Sequence, residues 1–512
     1  MVKLHEVQAK GLLAAEGIAT PRGIAASTPA EAHAFAAALG SPVVVKGQVF
    51  TTSRAGQGLI RFAATPTEAR EAAAALLGQH FGKFTVEQVL VEEQVEIAHE
   101  YYLGLIIDSK RKAPVLLFSR AGGSGIEGRA ESAVRHEIDV LHGLSEDEAL
   151  EVCRQAGIEP DEQAAIAGAM VRFYAAARGY DARSAEINPL VVTKAGEVVA
   201  LDARFSIDDY SVFRHPDLGI EIAREFDHPP TALEKIAWQV EKDDYRGTFY
   251  FIQMLEGFAK GTGVIGFHGA GGGGSMMNMD ALLKQGFQVA NFVDTSGNPP
   301  ASKVYRAARI ILSQPNIDGY FAGGSGVASQ EQFHSARGLV KAFMDAPLNV
   351  PAVIRIGGNS EEQAIAILHR ANGAFPTPVE AYGRDDTPDT CAERLRALIG
   401  RSQPAAAPPQ RIIPPAREPY TFETVTGGTI TYDHALCRDC ESKACVQTCV
   451  PQILSVVDGV PVLNISREDA RKGGCIECLA CEVECHFLGN QGGFIRLPIP
   501  GLESEDDHGH SD

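Results

Sequence analysis

The sequence lacks any apolar run approaching the ~20 residues of a membrane span, and Met1-Val-Lys-Leu-His5 lacks the charged-then-apolar form of an export signal. These absences predict a cytoplasmic protein with no membrane span. Positive charge is also scarce, with 46 Lys and Arg against 65 Asp and Glu and a formal net charge of -19. That balance excludes a nucleic-acid partner held through its phosphates, although part of it lies in the acidic tail at 501–512, read as solvated chain. Cysteine is limited to ten residues, and eight of them fall between Cys437 and Cys485. Clustered cysteines without an export signal read as metal binding rather than as a disulfide framework. What is present is ordinary for a globular enzyme: 45% hydrophobic residues, 22% charged residues, and 52 glycines that suit tight turns or phosphate-type loops. A length of 512 residues predicts roughly three or four domains.

The texture changes along the chain. Up to about residue 230, helices and strands mix: Thr28-Pro-Ala-Glu31 predicts a capping box opening an alanine-rich helix, and Pro42-Val-Val-Val-Lys46 a buried strand. From Gly263 short apolar strands end in glycine loops that open helices, a doubly wound α/β pattern. Its strands are Gly263–Phe267, Ile317–Phe321 and Pro351–Ile356, and ligands bind at the C-terminal ends of such strands. Residues 401–419 carry six prolines and read as an extended linker that leaves whatever follows mobile. Everything after Tyr420 then reads as a module too small to rely on a hydrophobic core alone. Cys153 and Cys391 stand alone on predicted helices as small buried hydrophobes.

Two motifs organise the remaining cysteines. The first is Cys437-x2-Cys440-x4-Cys445-x3-Cys449, and the second is Cys475-x2-Cys478-x2-Cys481-x3-Cys485. Paired zinc sites use C-x2-C pairs, but four zinc ligands leave the x3-Cys extension of both motifs unexplained. The pattern resembles bacterial two-cluster ferredoxins, in which the fourth cysteine of each motif ligates the other cluster. That implies two 4Fe-4S clusters, one on Cys437, Cys440, Cys445 and Cys485, the other on Cys475, Cys478, Cys481 and Cys449. Two departures are the x4 spacing before Cys445 and His486 in place of the usual proline. Cys475-Ile-Glu-Cys-Leu-Ala-Cys481 with Gly492-Gly-Phe-Ile495 is similar to small ferredoxin-like partners of flavoprotein:quinone oxidoreductases, which implies a flavoprotein redox partner.

Glu186 to Asp202 reads as two apolar strands around the turn Lys194-Ala-Gly-Glu197, with Asn188 and Asp202 each seven residues from Ala195. Directly opposed residues of an antiparallel pair have Cβ atoms ~5 Å apart, so these two oxygen-bearing side chains suit one hard cation such as Mg2+. Two polar residues on a solvated hairpin face are the alternative. Glu186, two residues before Asn188, shares its face and is the candidate catalytic carboxylate.

Leu4-His-Glu-Val-Gln-Ala-Lys-Gly-Leu-Leu13, Val44-Val-Lys-Gly-Gln-Val49, Leu90-Val-Glu-Glu93, Tyr102-Leu-Gly104 and Glu186-Ile-Asn-Pro-Leu190 occur in that order. The series closely resembles the succinyl-CoA synthetase β subunit over about residues 1 to 400. The resemblance implies an α/β architecture: an ATP-grasp domain (1–235), a flavodoxin-like CoA-ligase domain (236–400), the linker (401–419) and a small α+β ferredoxin-like domain (420–500) before the acidic tail (501–512). It also implies ATP contacts at Lys46, Ser53, Arg54, Ala55, Glu92, Val95 and Glu100, and Mg2+ ligands at Asn188 and Asp202. The phosphate loop departs from the family, since Thr52-Ser-Arg-Ala-Gly-Gln-Gly-Leu59 keeps the arginine but loses the lysine and most glycines.

His268-Gly-Ala-Gly-Gly-Gly-Gly-Ser275 follows a strand and opens a helix, a geometry that offers N–H groups and a positive helix end to an anion. Phe321-Ala-Gly-Gly-Ser-Gly326 repeats the arrangement. In the related β subunits these loops help to form the carboxylate pocket, so His268, Gly324, Ser325 and Gly326 are the candidate substrate residues, a satisfied histidine at a strand end being the alternative for His268. Both loops depart from the family, His268 standing for its asparagine, so succinate is not the assumed substrate. The resemblance implies an ADP-forming carboxylate:CoA ligase β subunit acting on a small carboxylic acid. An α-like partner supplies CoA binding and the phosphorylated histidine. The alternatives are a redox subunit whose ligase-like body only binds nucleotide or acyl-CoA, and an ATP-driven reductase.

Overall fold

The computed structural model describes residues 1–50, 56–122, 133–225, 228–244, 247–401, 411 and 413–502. Ser53, Arg54 and Ala55 therefore lie outside the described residues, as does the tail from 503. The chain forms two compact units, Met1–Pro229 and Pro230–Asp512. No helix among the described residues is long and apolar enough to cross a membrane.

The first unit is built on two antiparallel sheets, beside a small hairpin of His80–Phe81 with Phe84–Thr85. In the smaller, the strands run in the order Gly23–Ala26, Val89–Glu93, Val43–Gly47, Ile60–Ala63. The strand predicted at 42–46 is thus central and wholly buried. Helices Pro29–Leu39 and Pro66–Leu76 contribute alanines to the same core, because a methyl group lets helix and sheet approach closely. Thr28 accepts from the Glu31 N–H in the capping box that its sequence predicts, satisfying an otherwise orphaned donor. The larger sheet is built on the twelve-residue strands Ile97–Asp108 and Ala182–Thr193. Helices Glu6–Ala15, Glu146–Gln155 and Pro160–Gly179 share a core with it.

In the second unit five strands lie parallel in the order Asn291–Asp294, Val264–Ala270, Gly319–Gly324, Ala352–Arg355, Val379–Tyr382. Counted along the chain, that is the flavodoxin-like order second, first, third, fourth, fifth. Tyr250–Gln253 adds an antiparallel edge. Helices Ala301–Leu312, Phe333–Asp345 and Glu361–Asn372 belong to one apolar cluster, and Gly272–Lys284 and Pro388–Arg401 to another, as a sheet covered on both faces requires.

The cysteine-bearing segment belongs to this second unit. A three-stranded sheet (Pro419–Glu423, Thr429–Asp433, Gly493–Arg496), a hairpin (Leu454–Val457 with Val460–Leu463) and the helix Ala480–Leu488 surround the cysteines. The proline-rich stretch predicts a mobile attachment; 402–410 and 412 lie outside the described residues, and the segment beyond packs on helices of the same unit. Its apolar residues share one core cluster with helices Ala301–Leu312 and Phe333–Asp345. Arg337 and Lys341, one turn apart on the latter helix, reach Glu484 at 3.1 Å and Glu482 at 2.7 Å. Arg370 adds a contact to Glu484 at 2.5 Å, and Arg411 one to Glu482 at 2.6 Å. Glu482 and Lys341 are completely buried, and a buried charge is tolerated only when so paired.

Candidate active site

In the first unit the strand Val43–Gly47 presents Lys46 beside Glu92. Glu92 pairs in register with Val44 on the neighbouring strand, so its side chain shares a face with that of Lys46, two residues on. The Lys46 ammonium contacts Glu92 and lies 2.9 Å from Glu6. It also donates to the Leu201 carbonyl at 2.6 Å, which brings it beside Asp202. Lys10 closes a ring, 2.9 Å from Glu6 and 2.5 Å from Glu92. Burial works against the charge of Lys46, but Glu6, Glu92 and Asp202 outweigh it and hold its pKa above the usual lysine range. Sequence reasoning misses Glu6 and Lys10, whose signal is an opposite-charge pair four apart, one helical turn.

Asn188 and Asp202 oppose each other as their spacing predicts. Ile187 pairs with Ala203 and Leu190 with Ala200, and the Asn188 N–H donates to the Asp202 carbonyl at 3.1 Å. Glu186 pairs in register with Arg204 and lies 3.4 Å from its guanidinium. Burial and then Glu186 push the Tyr102 hydroxyl up to about 12. Val95 is half-buried in the connection between strands Val89–Glu93 and Ile97–Asp108, and Glu100 is exposed on the latter. Lys46, Glu92 and Asp202 therefore come together, while Glu92 is engaged with two lysines.

In the second unit His268, Gly324, Ser325 and Gly326 line one cavity, at the C-terminal ends of adjacent parallel strands where the doubly wound pattern places ligands. The two glycine loops meet there because side chains are missing: a Cβ on Gly274 would lie 2.2 Å from the Ser325 nitrogen. His268 is buried, with Nδ1 2.6 Å from the Tyr320 hydroxyl. Burial pushes its pKa down to about 3, so the ring is neutral. Arg355 also lines the cavity. It donates to the carbonyls of Asp386 (2.6 Å), Gly324 (2.8 Å) and Arg384 (3.1 Å). A charged residue inside an apolar strand at the ligand-binding end is the sequence signal for it.

All eight motif cysteines are buried and carry no disulfide. Their mutual influence sorts them into two sets. Burial and then neighbouring thiols push Cys437 and Cys445 up to about 12, the neighbours being Cys485 and Cys440 for both and Cys437 also for Cys445. Cys475 feels Cys478 and Cys449, and Cys481 feels Cys478, Cys475 and Cys449 most among its neighbours. Electrostatic proximity thus groups Cys485 with Cys437, Cys440 and Cys445, and Cys449 with Cys475, Cys478 and Cys481. A second cavity is lined by Cys449, Cys475, Cys478 and Cys481. Glycine permits close approach to the other set, since a Cβ at Gly492 would lie 3.1 Å from Cys437 Sγ. The x4 insertion supplies Ser442 and the Lys443 N–H to Cys440; with the Asn490 N–H they overcome burial and lower its pKa. Among the described residues no three His, Cys, Asp or Glu side chains converge on a position for a single ion.

The architecture and these sites define a protein of the ATP-grasp class joined to a doubly wound domain. A model of the ATP-grasp domain family matches residues 3–192. The chain is 38% identical over 385 residues to the GDP-forming succinate–CoA ligase β subunit of Thermus thermophilus, covering 74% of this chain and 97% of that one. It is 36% identical over 383 residues to the ADP-forming β subunit of Methanothermobacter thermautotrophicus, covering 74% and 96%. The chain belongs to the succinate–CoA ligase β-subunit family, a family of acid–thiol ligases. The solved structure of ATP citrate lyase from Methanothrix soehngenii in complex with citrate and coenzyme A shares the fold, with a TM-score of 0.65 at 18% identity over 77% of this chain and 99% of that one.

Proposed function

We propose that the chain is the β-like subunit of a nucleotide-dependent carboxylate:CoA ligase that carries an attached iron–sulfur electron-transfer module. The observation that carries the ligase reading is the convergence of Lys46 on Leu201 and Asp202 in a chain of this family. Phosphoryl transfer is mostly positioning and charge neutralisation. Lys46 supplies a permanently charged ammonium, and Asn188 with Asp202 supplies oxygen ligands suited to Mg2+, which when bound offsets phosphate charge. Glu186 holds Arg204 and the Tyr102 hydroxyl beside that hairpin. The family chemistry then needs an α-like partner: its histidine takes the γ-phosphoryl group and releases nucleoside diphosphate, the carboxylate of the acid attacks that phosphorus and expels the histidine to form an acyl phosphate, and CoA thiolate expels phosphate from the acyl carbon. The cavity at His268 and Arg355 receives the acid. Relatives carry both GDP-forming and ADP-forming names, so both nucleotides belong in the test. The complex of this chain with an α-like subunit is incubated with ATP or GTP, CoA and a panel of acids; nucleoside diphosphate and thioester should appear together, and Lys46→Ala should abolish both. No thioester with any acid would remove the reading.

The two crossed cysteine sets fit two 4Fe-4S clusters: buried thiols in fours, backbone N–H groups directed at sulfur, and glycine where sulfur comes closest. Such clusters supply one-electron transfer. Iron and sulfide analysis with a spectrum of the reduced protein tests this, and one cluster or none would correct it.

A further inference from the structure

The cavity of about 180 Å³ lined by His268 and the Gly324–Gly326 loop is unevenly equipped. Arg355 is its one cation among the described residues, and no acidic residue lines it. The hydrogen bonds of Arg355 all go to carbonyl groups, which leave its charge unneutralised. It stands against the glycine loop, since a Cβ at Gly326 would lie 3.0 Å from Nη2. One anionic group is therefore provided for.

A second is not. The Tyr320 hydroxyl engages His268 Nδ1 at 2.6 Å, and burial keeps both groups uncharged, which leaves Nε2 of a neutral ring. His268 thus offers one uncharged polar group and no cation. The other polar side chains that line it are uncharged: Ser325, Gln332 and Ser335, with Asn298, which donates to Ser329 at 2.9 Å, and Thr295, whose Oγ1 donates to the Gly269 carbonyl at 3.2 Å. The most buried wall is aliphatic, with Val304, Leu339, Ile354 and Ile356 at most 4% exposed, while Val327 at the loop is 80% exposed. A second carboxylate against that wall would lose its hydration with no cation to replace it.

Resting on the reading that this cavity receives the acid, we propose that the substrate is a monocarboxylate with an apolar body, its carboxylate toward Arg355 and the glycine loops and its body against Val304, Leu339 and Ile354. Specificity then comes from an aliphatic floor and a missing second cation.

Calorimetry and saturation-transfer NMR on the full chain, with hexanoate, phenylacetate and succinate as probes, test this. The apolar acids should bind about 10-fold or more tightly than succinate. Leu339→Ser should bring hexanoate close to succinate, and the isosteric Val304→Thr should do so in part if the polar residue at 339 unfolds the helix. Arg355→Gln should weaken all three. Succinate binding as tightly as hexanoate, or hexanoate binding unchanged in both wall variants, overturns the proposal and leaves the ligase reading standing. If no acid binds the chain and the complex with its α-like partner ligates none, both fall.

Discussion

His268 is wholly buried and its pKa is pushed down to about 3 by desolvation, from an ordinary value of 6.5. As pH falls below 6.5, the unfolded chain takes up a proton that the folded chain refuses. The contribution of His268 to stability therefore falls with pH by about 1.4 kcal/mol per unit over that window, levelling near pH 3. Chemical denaturation between pH 7 and 5 should show this loss, and His268→Asn should lack its share of it. The ring of Glu6, Lys10, Lys46 and Glu92 makes a second prediction. Lys10→Met leaves two buried carboxylates sharing one ammonium, which should cost about 3–5 kcal/mol. Adding Glu6→Gln should recover part of that loss, a coupling that a double-mutant cycle in urea would read.

At the scale of elements, the helix Phe333–Asp345 does two things at once. Gln332 just before it, with Ser335 and Leu339, lines the cavity, while Arg337 and Lys341 hold Glu484 and Glu482, neighbours of the motif cysteines Cys481 and Cys485. Lys341→Met should cost about 1–3 kcal/mol by leaving buried Glu482 with Arg411 as its remaining ion-pair partner among the described residues, and Lys341→Met with Glu482→Met should cost less than the sum of the two single changes. Local signals are legible in the residue order alone: the Thr28 capping box, the seven-residue spacing that opposes Asn188 to Asp202, glycines at strand ends, and the crossed cysteine motifs. The clamp is not legible in that way. Arg337 and Lys341, one turn apart, read as an ordinary solvated face, and their partners lie more than a hundred positions along the chain. Six prolines at 401–419 suggest mobility because composition reports on the connecting chain, not on what the far side packs against. Arg355 is hidden for a related reason, since its strand is recognised by its apolar neighbours.

At the scale of the whole molecule, the family resemblance reaches the ATP-grasp and ligase portions, whereas the docking of the cysteine module depends on contacts between distant segments that no local pattern encodes. A protease site placed within 402–410 tests that docking. The cut chain should elute as one species, because the shared core and the Glu482 and Glu484 ion pairs do not depend on the connection. Separation in about 0.15 M salt would count against it, since buried pairs are little screened at that ionic strength.

The clamp also has a kinetic meaning for the proposed clusters. A tethered carrier must diffuse between its donor and its acceptor, so its turnover slows as the solvent thickens. A module clamped to the helix Phe333–Asp345 holds the two proposed clusters in one place on the body, and transfer between the two would need no chain movement. Internal transfer should therefore be indifferent to added glycerol, and only the encounter with an outside redox partner should feel viscosity.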